Sequence, residues 1–406
     1  MKVVAYPTCE LGDVAELYDS LHQTPTYANE GYPMIRVTDI RRGFLDTTNA
    51  MKVTQEVYEQ FAKKHKPQIG DILFSRVGSY GNSTFVDNRV AFCLGQNTVC
   101  ISPDRQKIQP TFLYGALNSD DLFHQIRSYV SGASQGTISL KNIRKLQVPV
   151  PPLPVQQRIA GILAAYDELI ENSQRRIKIL EAMARGLYRE WFVHFRFPGH
   201  ENHPRVASAL GEIPEGWEVT PFSALASYVN GYAFKPAQLG TEGKAIIKIK
   251  ELKAGVVAET PRNRGADIPA KYNIRDGDVL FSWSADLDAY LWMGGDGLLN
   301  QHLFNVFPAN GVSLAFCFHS LKEAMPRFRA LSLGATMHNI KRSALDQLFT
   351  IVPPEVARKR FDVLVEPIHK QLITLTRRST NLRRTRDLLL PRLLSGQIAL
   401  DELEAA

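Results

Sequence analysis

The chain has 406 residues, 44% of them hydrophobic, and carries a formal net charge of +7. That is room for two or three domains with proper cores, and the charge favours a polyanionic partner. No apolar run reaches the roughly 18 residues that a membrane span needs, and the first residues, MKVVAYPTCELGD, lack a signal peptide's apolar core. Four cysteines without C-x-x-C or zinc spacing read as reduced, buried thiols, so a cytoplasmic location is expected.

Residues 1–150 read as a mixed α/β domain. Pro33–Ile40 and Gly70–Val77 are strand-like, and Val86–Ile101 alternates in the manner of antiparallel strands. Pro110–Val130 is expected to be helical, with Phe112, Ala116, Leu122, Ile126 and Tyr129 inward. Residues 151–197 then form a long helix. Its apolar stripe is Val155, Ile159, Ile162, Tyr166, Leu169, Ile177, Leu180, Ala184, Leu187 and Trp191. About 38 helical residues at about 1.5 Å each give about 57 Å, a length that calls for an equally long partner.

Residues 198–210 are a polar connector. A second domain, 211–352, repeats the first, with strands at Ala245–Leu252, Asp278–Trp283 and Leu303–Phe307 and a helix at Leu314–Leu331. Residues 353–396 form the second long helix, with Phe361, Leu364, Ile368, Leu372, Leu375, Leu382, Leu389 and Leu393 as its stripe. Pro367 and Pro391 are expected to kink or disturb it. Residues 397–406 are a tail.

The two long-helix stretches align without gaps. Pro151-Pro152 falls on Pro353-Pro354, Leu180 on Leu382 and Leu187 on Leu389. Gly70-Asp-Ile-Leu-Phe-Ser75 returns as Gly277-Asp-Val-Leu-Phe-Ser282, and Gly132-Ala-Ser-Gln-Gly-Thr-Ile138 as Gly334-Ala-Thr-Met-His-Asn-Ile340. The order is unit, helix, unit, helix, which is a duplication. If the stripes pair, the helices run antiparallel with one mixed α/β unit at each end, related by a pseudo-two-fold axis. Symmetric readers of duplex DNA use such an axis.

Recognisable catalytic motifs are absent from the sequence. There is no P-loop, G-x-S-x-G, H-E-x-x-H or N/D-P-P-Y/F/W tetrapeptide. Asp71 with Asp278, and His302 with His338, read as turn caps and polar surface rather than catalytic or metal residues. This composition points to a binding subunit.

The duplicated GD-[IV]-LFS strand, the GASQGTI loop, VPVPPLPVQQRIAGIL, EIPEGWE and RDLLLPRLLSGQI occur together in this order. With them the chain resembles, over its whole length, the specificity subunit of type I restriction–modification systems. The resemblance implies two target-recognition domains that read a bipartite sequence in double-stranded DNA. It also implies a long antiparallel coiled coil that docks two modification subunits, with restriction subunits joining the complex. Under it the chain is non-catalytic and holds no cofactor; S-adenosylmethionine, ATP and Mg²⁺ bind partner subunits. The competing reading is an assembly scaffold that docks partners but reads nothing.

Base reading needs bidentate donors and acceptors projected from rigid elements, and phosphate neutralisation needs clustered cations. In the first unit Arg76, Ser79, Tyr80 and Asn82 follow the LFS strand, and Gln135 and Lys141 lie in or after the glycine loop. Arg41, Arg42, Lys63 and Lys64 are expected at phosphates. In the second unit Ser284, His302, His338, Asn339 and Lys341 take comparable places, with Trp283 read as packing. The loops differ between the units, so the half-sites should differ.

Overall fold

The computed structural model describes residues 6–132, 136–284, 286–331 and 342–398. It divides into two compact units, one running to Glu171 and resuming at Asn381, the other spanning Asn172–Thr380. Each unit therefore contains part of both long helices, Leu153–Tyr188 and Glu355–Leu394.

In the first unit an antiparallel sheet has the order Ala15–Asp19, Thr98–Pro103, Ile72–Ser75, Ser83–Phe85. In the second unit the sheet Ala226–Asn230, Leu303–Pro308, Val279–Ser282, Asp288–Leu291 repeats that order. The LFS strands are buried along their whole length because both faces are covered. Alternate side chains serve different cores: Ile72 and Phe74 join the cluster that includes the long helices, and Leu73 joins a second cluster behind the sheet. Val279 and Phe281 on one side and Leu280 on the other do the same in the second unit.

The Gly-Asp pair before each LFS strand makes the same turn twice. Gly70 and Gly277 adopt φ of +97° and +94°, which disfavours any side chain there. Asp71 accepts from the Gln68 amide at 2.9 Å, and Asp278 from the Arg275 amide at 2.9 Å. These aspartates are turn caps, as expected.

A smaller sheet accompanies each main one. In the first unit Tyr32–Ile35 lies between Met51–Val53, antiparallel, and Cys93–Leu94, parallel. In the second, Lys244–Ile247 pairs in parallel with Gly297–Leu299. Several boundaries therefore shift from the sequence reading. The strand expected over Pro33–Ile40 ends at Ile35, and Ala245–Leu252 divides into a strand and the short helix Ile249–Ala254. Pro110–Val130 is two helices, because Ser119 leaves the first and caps the second by accepting from the Leu122 amide. The connector is partly ordered: Arg205–Ser208 pairs with Gly211–Pro214 in a hairpin.

Within each unit the long-helix segments run antiparallel. In the first unit, Leu163 and Leu390 meet beside Gly115, and Asp167 pairs with Arg386. In the second, the Phe192 and Phe361 rings lie 5.0 Å apart, while Lys178 and Leu372 line one groove. The second helix continues through Pro367 and Pro391 to Leu394, so neither proline ends it. The stripes also differ in detail. Leu169 and Leu364, expected inward, are 42% and 45% exposed, whereas Gln156, Ser173, Ser379 and Arg386 are buried. Cys93, Cys100 and Cys317 are buried and free, and burial pushes the Cys93 and Cys317 thiols up to about 12.

Two buried histidines face one another in the second unit, with His319 Nε2 and His369 Nε2 at 3.2 Å. Burial lowers His319 to about 3, with His369 and Lys322 adding to the shift, and lowers His369 to about 4. Both must be neutral in the fold, one donating to the other. Unfolding lets them bind protons below about pH 6.5, so their contribution is complete above that pH and declines as pH falls towards 4. At pH 5 the loss should approach about 2 kcal/mol for each histidine. Urea midpoints at pH 7 and pH 5 check this: replacing both histidines by leucine should remove much of the difference. An equal acid loss in that variant would refute the assignment.

Candidate nucleic-acid interface

The first unit brings the strand-end loop and the glycine loop together. The Gly78 amide donates to the Gly136 carbonyl at 3.1 Å, the Ile138 amide to the Arg76 carbonyl at 3.0 Å, and Val77 bridges Thr137. Tyr80 packs where a Cβ on Gly136 would sit, 2.5 Å from its ring, so glycine is required for this approach. Residues some 60 positions apart in the chain thus share one rim.

Arg76 is not free on that rim. Its Nη1 donates to both carboxylate oxygens of Asp19 at 2.7 Å, and its Nε to the Ile138 carbonyl at 3.2 Å. Only 13% of the side chain is exposed. A guanidinium held in this way ties three segments together and has little capacity left for a base edge. Ser79 is exposed, with Oγ at 3.3 Å from Ser75 Oγ and donating weakly to the Val37 carbonyl at 3.4 Å. Asn82 is exposed, its backbone spent on the loop and its side chain outward. Tyr80 is half-buried against the core.

Arg41 is exposed beside this rim, its amide donating to Thr84 Oγ1 at 2.8 Å. Arg42 pairs with Asp387 of the second long helix at 3.0 Å, so part of its charge is used within the unit. Lys63 and Lys64 are exposed just after the helix Gln55–Phe61. Lys141 is exposed on Leu140–Arg144, a short helix capped by Ser139 rather than by the glycine loop. Gln135, His338, Asn339 and Lys341 lie outside the described residues.

In the second unit Trp283 takes the position of Arg76, and Asn230 that of Asp19. Trp283 Nε1 donates to Asn230 Oδ1 at 3.3 Å, a neutral substitute for the ion pair. The Trp283 ring lies 6.0 Å from both Phe304 and the exposed His302. Ser284 is half-buried, its carbonyl accepting from Ser282 Oγ. Nearby, the Lys253 ammonium holds the Asp286 carboxyl below its usual range. The partners Asp19 and Asn230 escaped the sequence reading because contacts across 57 and 53 residues leave no local signal. Aligning the two halves finds them only once the strand order is known.

Among the described residues one cluster has metal-ligand chemistry. His65, Asp71 and Cys100 bring their ligand atoms within 4.8 Å of one another. Asp71 Oδ2, however, already meets His65 Nε2 at 2.6 Å, the Gln68 amide at 2.9 Å and the Cys100 thiol at 3.4 Å. Burial pushes the Asp71 carboxyl up, but hydrogen bonds from His65, the Gln68 amide and Ser102 outweigh it and hold it below its usual value. The cluster is accounted for as the closure of the Gly70-Asp71 turn.

Replacing Arg76 by methionine should cost about 1–3 kcal/mol, the range for stranding a partly buried charged partner. Chemical denaturation of the variant beside Arg41→Met, which should change little, checks this. Equal effects would mean that the Asp19 contact is not a strut.

The two units share one sheet order and differ in the chemistry of their rim loops. Residues 4–182 match the family described as Type I restriction modification DNA specificity domain. A Methanocaldococcus jannaschii protein assigned as the MjaX type I restriction enzyme specificity subunit is 24% identical, covering 96% of this chain and 92% of its own. The HindI type I restriction enzyme specificity subunit of Haemophilus influenzae is also 24% identical, covering 81% of this chain and 86% of its own. The crystal structure of the type I restriction–modification S subunit from M. genitalium shares the fold, with a TM-score of 0.60 at 15% identity and 97% coverage of each chain. Residues 4–182 thus carry the specificity-domain match, and the chain as a whole is similar to specificity subunits of type I restriction–modification systems. No helix among the described residues is long and apolar enough to cross a membrane.

Proposed function

We propose that this chain reads a bipartite target in double-stranded DNA, each unit contacting one half-site, and docks modification and restriction subunits through its long helices. Catalysis then belongs to the partners, which bind S-adenosylmethionine, ATP and Mg²⁺, and the complex works in the cytoplasm. The observation that carries this reading is one strand order used twice with different rim chemistry: Asp19–Arg76 in the first unit, Asn230–Trp283 in the second. A repeated framework with divergent loops suits two different half-sites. Arg41, Lys63 and Lys64 would neutralise phosphates, and the exposed Ser79, Asn82 and His302 would meet base edges.

Retardation of duplex DNA by the chain with its modification subunits tests the proposal. Tight binding to one bipartite sequence, broken by changing either half, is expected. Uniform affinity for every duplex would favour the scaffold reading. Lys63→Ala should weaken binding to all sequences alike and lower the salt slope by about one, as loss of a phosphate contact does.

A further inference from the structure

The two units treat equivalent helix positions differently. The proline pairs set an offset of 202 residues, so Asp167 corresponds to His369 and Ala184 to Arg386. On the neighbouring helices Pro110–Leu117 and Leu314–Leu331, Gln109 and Ser313 both cap by accepting the amide three residues on, from Phe112 and Phe316. Counting from those caps, Gly115 corresponds to His319.

In the first unit this position is closed by the chain itself. Arg386 is buried and paired with Asp167 and Asp387, Gly115 lets Leu163 approach, and the remaining cavity is about 70 Å³. In the second unit Ala184 supplies no side chain to fill the space, and the counterpart of the acid is His369. The result is an open groove of about 370 Å³. Its floor includes Phe318 and Leu372, the neutral His319–His369 pair forms one wall, and Lys178, Arg185 and Lys322 stand at its edge with Glu181. Lys322 is held by Asp288 at 2.8 Å, while Lys178 and Arg185 are exposed.

We propose that this groove is a docking pocket for an apolar side chain with an adjacent carboxylate, presented by a modification subunit. The proposal rests on the assembly role above and names the contact. A guanidinium like the one that fills the first unit is disfavoured here, because the acid that received it is now a histidine and the edge cations outnumber Glu181. An apolar body suits the floor, and a carboxylate suits Lys178 and Arg185. The first unit, with its pocket filled, has no equivalent contact to offer.

The test is the full chain mixed with modification subunits, with bound copies and affinities read by native mass spectrometry. Ala184→Arg with His369→Asp and His319→Gly recreates the first unit's arrangement and closes the groove. This variant should hold one partner copy at least tenfold more weakly than wild type, at unchanged affinity for any other copy. Lys178→Glu with Arg185→Glu leaves the interior intact and should produce the same selective loss, which decides the matter if the first variant unfolds. Wild-type retention of partner by the charge-reversed chain, or by a folded groove-closed chain, overturns the pocket. A wild-type chain that retains no modification subunit would instead defeat the assembly role itself, before any variant is made.

Discussion

Phe361→Ala should destabilise the second unit by about 3–5 kcal/mol, the range for emptying a large, fully enclosed aromatic site. Phe361 is 0% exposed, and its ring lies 5.0 Å from Phe192, 6.1 Å from Tyr188 and 6.2 Å from Trp191. These rings belong to the core that joins both long helices to the LFS sheet of that unit. Little can collapse into the space, because Tyr188 is held by its hydroxyl donating to Ser320 Oγ at 3.0 Å. Val363→Ala on the same helix, at a site 73% exposed, should change stability by less than about 0.5 kcal/mol. Urea unfolding followed by tryptophan fluorescence compares the two. Similar midpoints would mean that the aromatic cluster does not hold the helices to the sheet.

The duplication, the long helices and the glycine-aspartate turns were legible because each leaves a local mark. The repeated helix stretches align without gaps, an apolar stripe recurs every three or four residues, and a Gly-Asp pair needs positive φ and a cap. The buried helix face was less legible. Leu169 and Leu364 fit the stripe but point outward, since each helix packs against both its partner helix and a sheet, and the inward face turns between them. Gln156 lies inside because its hydrogen bonds are met by backbone, two of the three far away in sequence: it accepts from the Gln109 amide at 2.8 Å and donates to the Lys107 and Pro151 carbonyls. Pro391 remains helical because packing of Leu390, Leu393 and Leu394 in the core outweighs a lost hydrogen bond. At the rim, the sequence showed which residues are polar and which segments are loops. It could not show that Arg76 is committed to Asp19, because that depends on a strand pairing in three dimensions.

If the proposed function holds, exchanging residues 1–150 for the corresponding segment of a type I specificity subunit should replace one half-site and leave the other intact. The joint at Pro151 is favourable for physical reasons. The strand pair Thr8–Glu10 with Gln147–Pro149, and the Val150 amide donating to the Pro7 carbonyl, lie wholly inside the exchanged segment. Across the joint, Gln156 engages only backbone groups of that segment, Gln109 N–H and the Lys107 carbonyl, which any incoming sequence of the same fold supplies. Side chains must also match: the incoming helix has to supply apolar groups like Phe112 and Leu117 for the core shared with Ile159 and Leu163, and a Cβ at Gly115 would come within 2.9 Å of Leu163 Cδ1, so it needs glycine there or a compensating smaller residue on the long helix. The Arg42–Asp387 pair would be lost at little cost, being partly exposed on both sides. Methylation mapping of a genome carrying the chimaera with its modification subunits reads both half-sites at once. A new first half-site beside an unchanged second one is expected. If both change together, or the first persists after the exchange, the units do not read independently and the division of labour proposed for them is wrong.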